Sequence, residues 1–319
     1  MVGCESENPE SPCRRFFFSS GALAAILILV YSSSLACGWH LDDFHSILHN
    51  PNIQLKALAS ESIARSLYSE PNHPEKLYRP VSGLSFAFNY FVSGTNPFSY
   101  HLVNLFIHWL CSVFLFLFLY QALHLPALRE KYSSSAYSIA FLSALLWALN
   151  PIQTQSVTYV VQRMTSLCGL FYIMSMFFYG KGRAAPEASK RVLYGGLSFG
   201  AFALAFGSKE NAVLLPVSIL LYEGLLVQTH IGSWARRNKG SLIAALALIL
   251  GFGLLYIVYR KGGVLSFLSD YEERPFTLGQ RLLTQPRVIL FYVFLILYPI
   301  PSRLSIAHSF DIIYNGTVT

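Results

Sequence analysis

The sequence predicts an all-α protein that crosses a membrane several times, and three observations predict it. Of its 319 residues, 54% are hydrophobic and only 12% charged, with a mean hydropathy of +0.46. That is about half the charge of a soluble domain. Stretches without Asp, Glu, Lys or Arg recur at 82–128, 132–162, 164–180, 192–208, 240–259 and 288–302, several of them longer than the roughly 20 residues that cross a hydrocarbon core of about 30 Å. Basic clusters fall between them: Arg14 and Arg15; Arg129 and Lys131; Lys181, Arg183, Lys190 and Arg191; Arg236, Arg237 and Lys239. Placing all four on one side gives an alternating topology under the positive-inside rule. In lipid the backbone must satisfy its own hydrogen bonds, so the spans are helices. The net charge of +7 is then a topology signal and argues for no nucleic-acid partner.

The elements follow in order. Residues 1–15 form a cytoplasmic tail. The first span is 16–38; its end, Ser34-Leu35-Ala36, has the form of a signal-peptidase site. The apolar run exceeds a usual signal core, so the span is read as retained. Residues 39–100 make a large first loop on the outer face. Within it, 53–68 places apolar residues at 55, 58, 63 and 67, the pattern of an amphipathic helix lying at the interface. After Pro80, Ser82, Ser85 and Asn89 line one face of an apolar helix. Further spans are read at 101–121, 136–150, 156–180, 192–208, 212–228, 241–259 and 287–300, the last shortened by Pro286 and Pro299. Loops at 122–135, 181–191 and 229–240 lie inside; 151–155, 208–211 and 260–286 lie outside. Five cysteines (4, 13, 37, 111 and 168) show no metal-ligand spacing.

Polar groups collect on the outer face. Asp42 and Asp43 follow the first span at once. His101, Asn104 and His108 share one face of the second span, the wall of a cavity or a set of packing residues. Gln155, Tyr159, Gln162, Arg163 and Ser166 are read as a stripe on the fourth. Arg163 is a lone arginine within a span, which costs about 2.5–3.5 kcal/mol on insertion scales unless an anion, a wet cavity or a phosphate meets it. Lys209 and Glu210 occupy a short hairpin, and Arg79 stands in "LYRPVSG". Carboxylates serve as a general base or hold a divalent cation, and arginine and lysine suit a phosphate. This inventory points to transfer from a phospholipid-linked donor.

The acidic pair, "YRPVSGLSFAFNY", "NPFSYHLVNLFIH", "NPIQTQSVTYVVQRMTSLCGLFY" and "GSKENAVLLP" resemble the membrane half of the transmembrane and tetratricopeptide-repeat glycosyltransferases. These are C-type, polyprenyl-phosphate-sugar-dependent enzymes related to the protein O-mannosyltransferases. The runs "QRMTSLCGLFY…GKGR" and "LLTQPRVILFY…YPIPSRLS" resemble the bacterial branch, which implies a bacterial inner membrane. The resemblance covers most of 16–310 and implies a C-type glycosyltransferase-like fold. It further implies transfer of a hexose such as mannose from a polyprenyl-phosphate donor to a hydroxyl of a protein or glycan acceptor, on the extracytoplasmic face. Asp42 or Asp43 would be catalytic, with Asp42 the match for the base and for a ligand of Mg²⁺ or Mn²⁺, a cation the sequence does not require. Arg79, Arg163 and Lys209 would contact the donor phosphate. His101, Asn104, His108, Gln155, Tyr159 and Glu210 would line the cavity. Family members continue into further spans and a repeat domain, so 311–319 is read as the end of a truncated piece. Two other classes use similar parts: a lipid-linked sugar transporter or flippase, which would show paired repeats, and a non-catalytic membrane scaffold with exposed aspartates.

Overall fold

The computed structural model describes residues 12–70, 76–228, 231–261, 276–305, 313–314 and 317–318. The expected tail up to residue 11, most of the outer loop at 260–286 and most of the end at 311–319 lie outside them. Among the described residues, six helices are long and apolar enough to cross a membrane, and the only strands are a two-residue hairpin, Ile313–Tyr314 with Thr317–Val318. The protein is a multi-pass helical membrane protein.

The chain divides into two compact units: 1–149 with 156–238, and 150–155 with 239–319. The first unit contains α1 (Pro12–Tyr31), α2 (Ser60–Ser66), α3 (Pro80–Ser93), α4 (Pro97–Ala122), α5 (Pro126–Tyr132) and α6 (Ala136–Leu149). A short helix, α7 (Thr154–Thr158), and a 3₁₀ turn, Val160–Gln162, lead into α8 (Arg163–Ala184). Then come α9 (Ala188–Ser208), the 3₁₀ turn Glu210–Leu214, α10 (Leu215–Tyr222) and α11 (Ile231–Arg237). The second unit holds α12 (Lys239–Lys261) and α13 (Leu278–Leu297).

Local chemistry sets these boundaries. Pro80 opens α3 at a position where its missing N–H costs nothing, and Gly94, at φ 57°, closes it. Asn96 caps α4 by accepting from the Phe98 N–H at 3.1 Å, followed by Pro97 in the first turn. Gly83 is where α2 and α3 approach; a Cβ there would collide with the Ser66 carbonyl. Ala140, Ala144 and Ala148 form a buried small-residue stripe by which α6 packs close. Ser175 and Ser198 exchange side-chain-to-carbonyl bonds of 2.8 and 2.9 Å between α8 and α9.

Contacts fix the helix directions within this unit. Phe16 stacks on Phe116, while Tyr31, at the far end of α1, meets His108; α1 therefore runs against α4. Asn104 meets Arg163 and Phe114 meets Phe177, so α4 and α8 run together. The basic residues at the start of α1, in α5, at the end of α8 and at the start of α9 thus gather at one end. The first loop, the start of α8 and Lys209 gather at the other.

Three expectations need correction. The helix expected over 53–68 covers only Ser60–Ser66. Asn50 holds the preceding segment in a turn through bonds to the Ser46 and Ser69 carbonyls, and Leu55 is drawn into the core while Leu58 faces out. The fourth span is not one continuous helix, because the backbone extends at Tyr159 (φ −81°, ψ 109°). Pro286 does not bound the last span. It sits inside α13, which begins earlier because Thr277 and Gln280 form a reciprocal capping box.

Candidate active site

The break before α8 builds the site. It frees backbone groups that a membrane segment must satisfy elsewhere. The Val161 N–H donates to Asp43 Oδ1 at 2.7 Å, and the Val157 and Val160 carbonyls accept from Asn104 Nδ2 at 3.4 and 3.3 Å. With the helix open, Val161, Gln162 and Met164 line a cleft of about 200 Å³, together with Asp42, His45, Glu70, Arg79 and Lys209.

The two aspartates part company. Asp42 is exposed at the cleft, and its backbone N–H donates to the Tyr159 hydroxyl at 2.9 Å. Asp43 is fully buried and accepts from the backbone N–H of His40 (3.0 Å) and Val161 (2.7 Å). Burial raises its pKa above the ordinary carboxylate range, against the lowering effect of these two bonds. Asp43 thus clasps the first loop to the helix break and, unlike Asp42, does not line the cleft.

The three cations also separate. Arg163 was expected at the cavity and is instead walled in, with no exposure. Its Nε donates to Asn104 Oδ1 at 2.7 Å, and Nη2 to Asn89 Oδ1 (2.7 Å) and the Tyr100 carbonyl (3.0 Å). Nη1 reaches Ser85 Oγ at 3.3 Å, and the Phe86 and Tyr100 rings lie 4.7 and 5.4 Å from the guanidinium carbon. Neutral dipoles and aromatic faces take the place of a counter-ion, and they tie α3, α4 and α8 together. Arg79 does line the cleft, but Glu210 holds it in a bidentate pair at 2.9 and 2.6 Å. Lys209 lines the cleft too: its Nζ donates to Thr165 Oγ1 at 2.7 Å, and that hydroxyl donates to Gln162 Oε1 at 2.7 Å. Burial, then the Arg79 charge, lower the Lys209 pKa.

The expected cavity wall on α4 is a packing network. His101 Nε2 is 3.1 Å from the Cys37 carbonyl and His108 Nε2 is 3.0 Å from the Ala148 carbonyl, both side chains buried. Asn104 serves Arg163. Tyr159 lies behind the cleft wall with only its hydroxyl engaged, and Glu210 is held by Arg79. Gln155 falls in the second unit. A polar stripe of period 3.6 locates polar residues, but protein carbonyls satisfy them as well as a cavity does. His45, which follows the acidic pair on a short π-helical turn (Phe44–Leu48), and Glu70, in irregular loop, join the cleft without having been assigned to the site. Among the described residues, no group of three or more His, Cys, Asp or Glu side chains is placed to hold a metal.

No family model matches the sequence and no solved structure matches it. Curated relatives do. The chain is 29% identical over 274 residues to the protein O-mannosyl-transferase TMTC3 of Mus musculus, covering 79% of this chain and 28% of that protein. It is 28% identical over 276 residues to TMTC4 of Homo sapiens (77% and 37%), and 28% over 240 residues to Tmtc3 of Drosophila melanogaster (70% and 26%), both named protein O-mannosyl-transferases. These likenesses run over most of this chain and are to proteins named as transferases. The chain is similar to these protein O-mannosyl-transferases and spans about 26–37% of their length.

Proposed function

We propose that this chain is the membrane core of a glycosyltransferase that moves a hexose, mannose by analogy with its relatives, from a polyprenyl-phosphate donor to a protein hydroxyl. The observation that carries it is one cleft holding an exposed carboxylate, Asp42, beside two cations, Arg79 and Lys209. In the reaction the acceptor oxygen bonds to the sugar C1 as the bond from C1 to the phosphate oxygen breaks. The acceptor proton passes to Asp42, acting as general base. The polyprenyl phosphate departs with the bonding electron pair, and Lys209 stabilises its charge. Arg79 adds field but is already paired with Glu210, and Arg163 organises the helices from behind. Asp42 shares the cleft with Glu70; a divalent cation held by Asp42 would draw its remaining ligands from the donor phosphate, water and any neighbouring carboxylate in reach, as Mg²⁺ does. Transfer measured with and without EDTA tests that point.

The test uses radiolabelled polyprenyl-phosphate mannose and a serine- and threonine-containing peptide. Lys209→Gln should raise the KM for the donor about 10–100-fold, since a hydrogen bond to a charged group contributes about 1.5–3 kcal/mol. A donor KM within twofold of the parent's would remove Lys209 from the phosphate site.

We further place the cleft on the extracytoplasmic face. What supports this is the gathering of the basic loops at the opposite end of the first unit, together with the positive-inside rule. The bacterial inner membrane rests on the motif resemblance alone. Single cysteines introduced at Thr95 and Pro186 should be labelled by a membrane-impermeant maleimide from opposite sides. Labelling of both from one side would overturn the orientation.

A further inference from the structure

Tyr159, expected to line the cavity, occupies the point where the fourth membrane segment is interrupted. The residue is 4% exposed and belongs to the buried cluster that includes Ile47, Ile53 and Phe86, so the side chain has little freedom. Only the hydroxyl leaves this apolar setting, and it accepts the Asp42 N–H at 2.9 Å. The turn that presents Asp42 needs such support. Leu41 adopts φ 43°, a left-handed conformation that a leucine rarely takes and that persists only where neighbours over-determine it. Asp43 pins one side of this turn through His40 and Val161. Tyr159 pins the other.

We infer that Tyr159 is the positioning residue of Asp42, its hydroxyl setting where the carboxylate stands in the cleft. This rests on the transferase assignment above. Misplacing a reacting group by about 1 Å costs roughly 10²-fold in rate. Tyr159→Phe keeps the ring and its packing and removes only the hydroxyl. In the full chain, assayed with polyprenyl-phosphate mannose and the same peptide, kcat should fall about 10–100-fold. The donor KM should stay within about twofold and the melting temperature should be unchanged. In an Asp42→Glu background, where the carboxylate has already moved, the same substitution should cost much less, because residues acting as a unit are not additive.

The outcomes separate. Parental kcat in Tyr159→Phe, with Asp42→Asn inactive, overturns the inference and leaves the transferase assignment standing. An equal fractional loss in both backgrounds overturns it too, since Tyr159 would then act independently of Asp42. A parent chain that transfers no mannose overturns the assignment, and the inference falls with it.

Discussion

Arg163→Met should prevent the protein from accumulating in a folded form, although Arg163 never reaches the cleft. The methionine fills similar volume, but it strands Asn89 Oδ1 and Asn104 Oδ1, both bonded to the guanidinium at 2.7 Å, and takes a second bond from the Tyr100 carbonyl, which α4 already engages. Each buried polar group left without a partner costs about 1–3 kcal/mol. Breaking a buried charged network by removing one member typically costs about 3–5 kcal/mol, a large part of the 5–15 kcal/mol by which a typical domain is stable. Arg163→Lys retains the charge but cannot span α3 and α4 at once, because an ammonium lacks the planar fork. It should fold with a clearly lowered melting temperature. Detergent-solubilised protein examined by size-exclusion chromatography and thermal unfolding gives the readout. If Arg163→Met were monodisperse and melted with the parent, the guanidinium would not be holding the helices together.

Asp42→Asn and Asp43→Asn should fail in different ways, despite being neighbours in sequence. Asp42→Asn keeps the size of the side chain and leaves the N–H to Tyr159 untouched, but it removes the carboxylate proposed as the base at the cleft. Loss of a positioned base costs about 10²–10⁴ in rate, so transfer should fall by that factor at an unchanged melting temperature. Asp43→Asn alters a side chain that accepts two backbone N–H groups in a fully buried place. One of those N–H groups then faces the amide's own NH₂. The expected result is a drop in melting temperature, with a rate loss that follows from a loosened turn. Lys56→Gln, on the same loop and away from this cleft, controls for loop charge. Equal effects of the two asparagine substitutions on both rate and stability would contradict the division of labour between them.

Sequence alone determined that this chain is helical, that it crosses a membrane several times and that its basic residues cluster between the apolar stretches. Those are properties of composition and of charge along a line, and solvation by lipid reads them directly. The sequence also marked Asp42, Arg79 and Lys209 as belonging together, because their motifs resemble those of related transferases. It could not separate Asp42 from Asp43, or Lys209 from Arg163. A lone arginine in an apolar span announces that it needs partners; whether these come from a ligand or from the protein depends on which helices meet it. Here Asn89, Tyr100 and Asn104, brought over from α3 and α4, take up its donors, and the cleft forms without it. The break at Tyr159 lies beyond sequence for the same reason. Apolar periodicity through 156–180 permits one straight helix, and only tertiary partners for the freed groups, Asp43 for the Val161 N–H and Asn104 for two carbonyls, make the interruption stable. Local hydropathy cannot encode a partner more than fifty residues away; packing decides it.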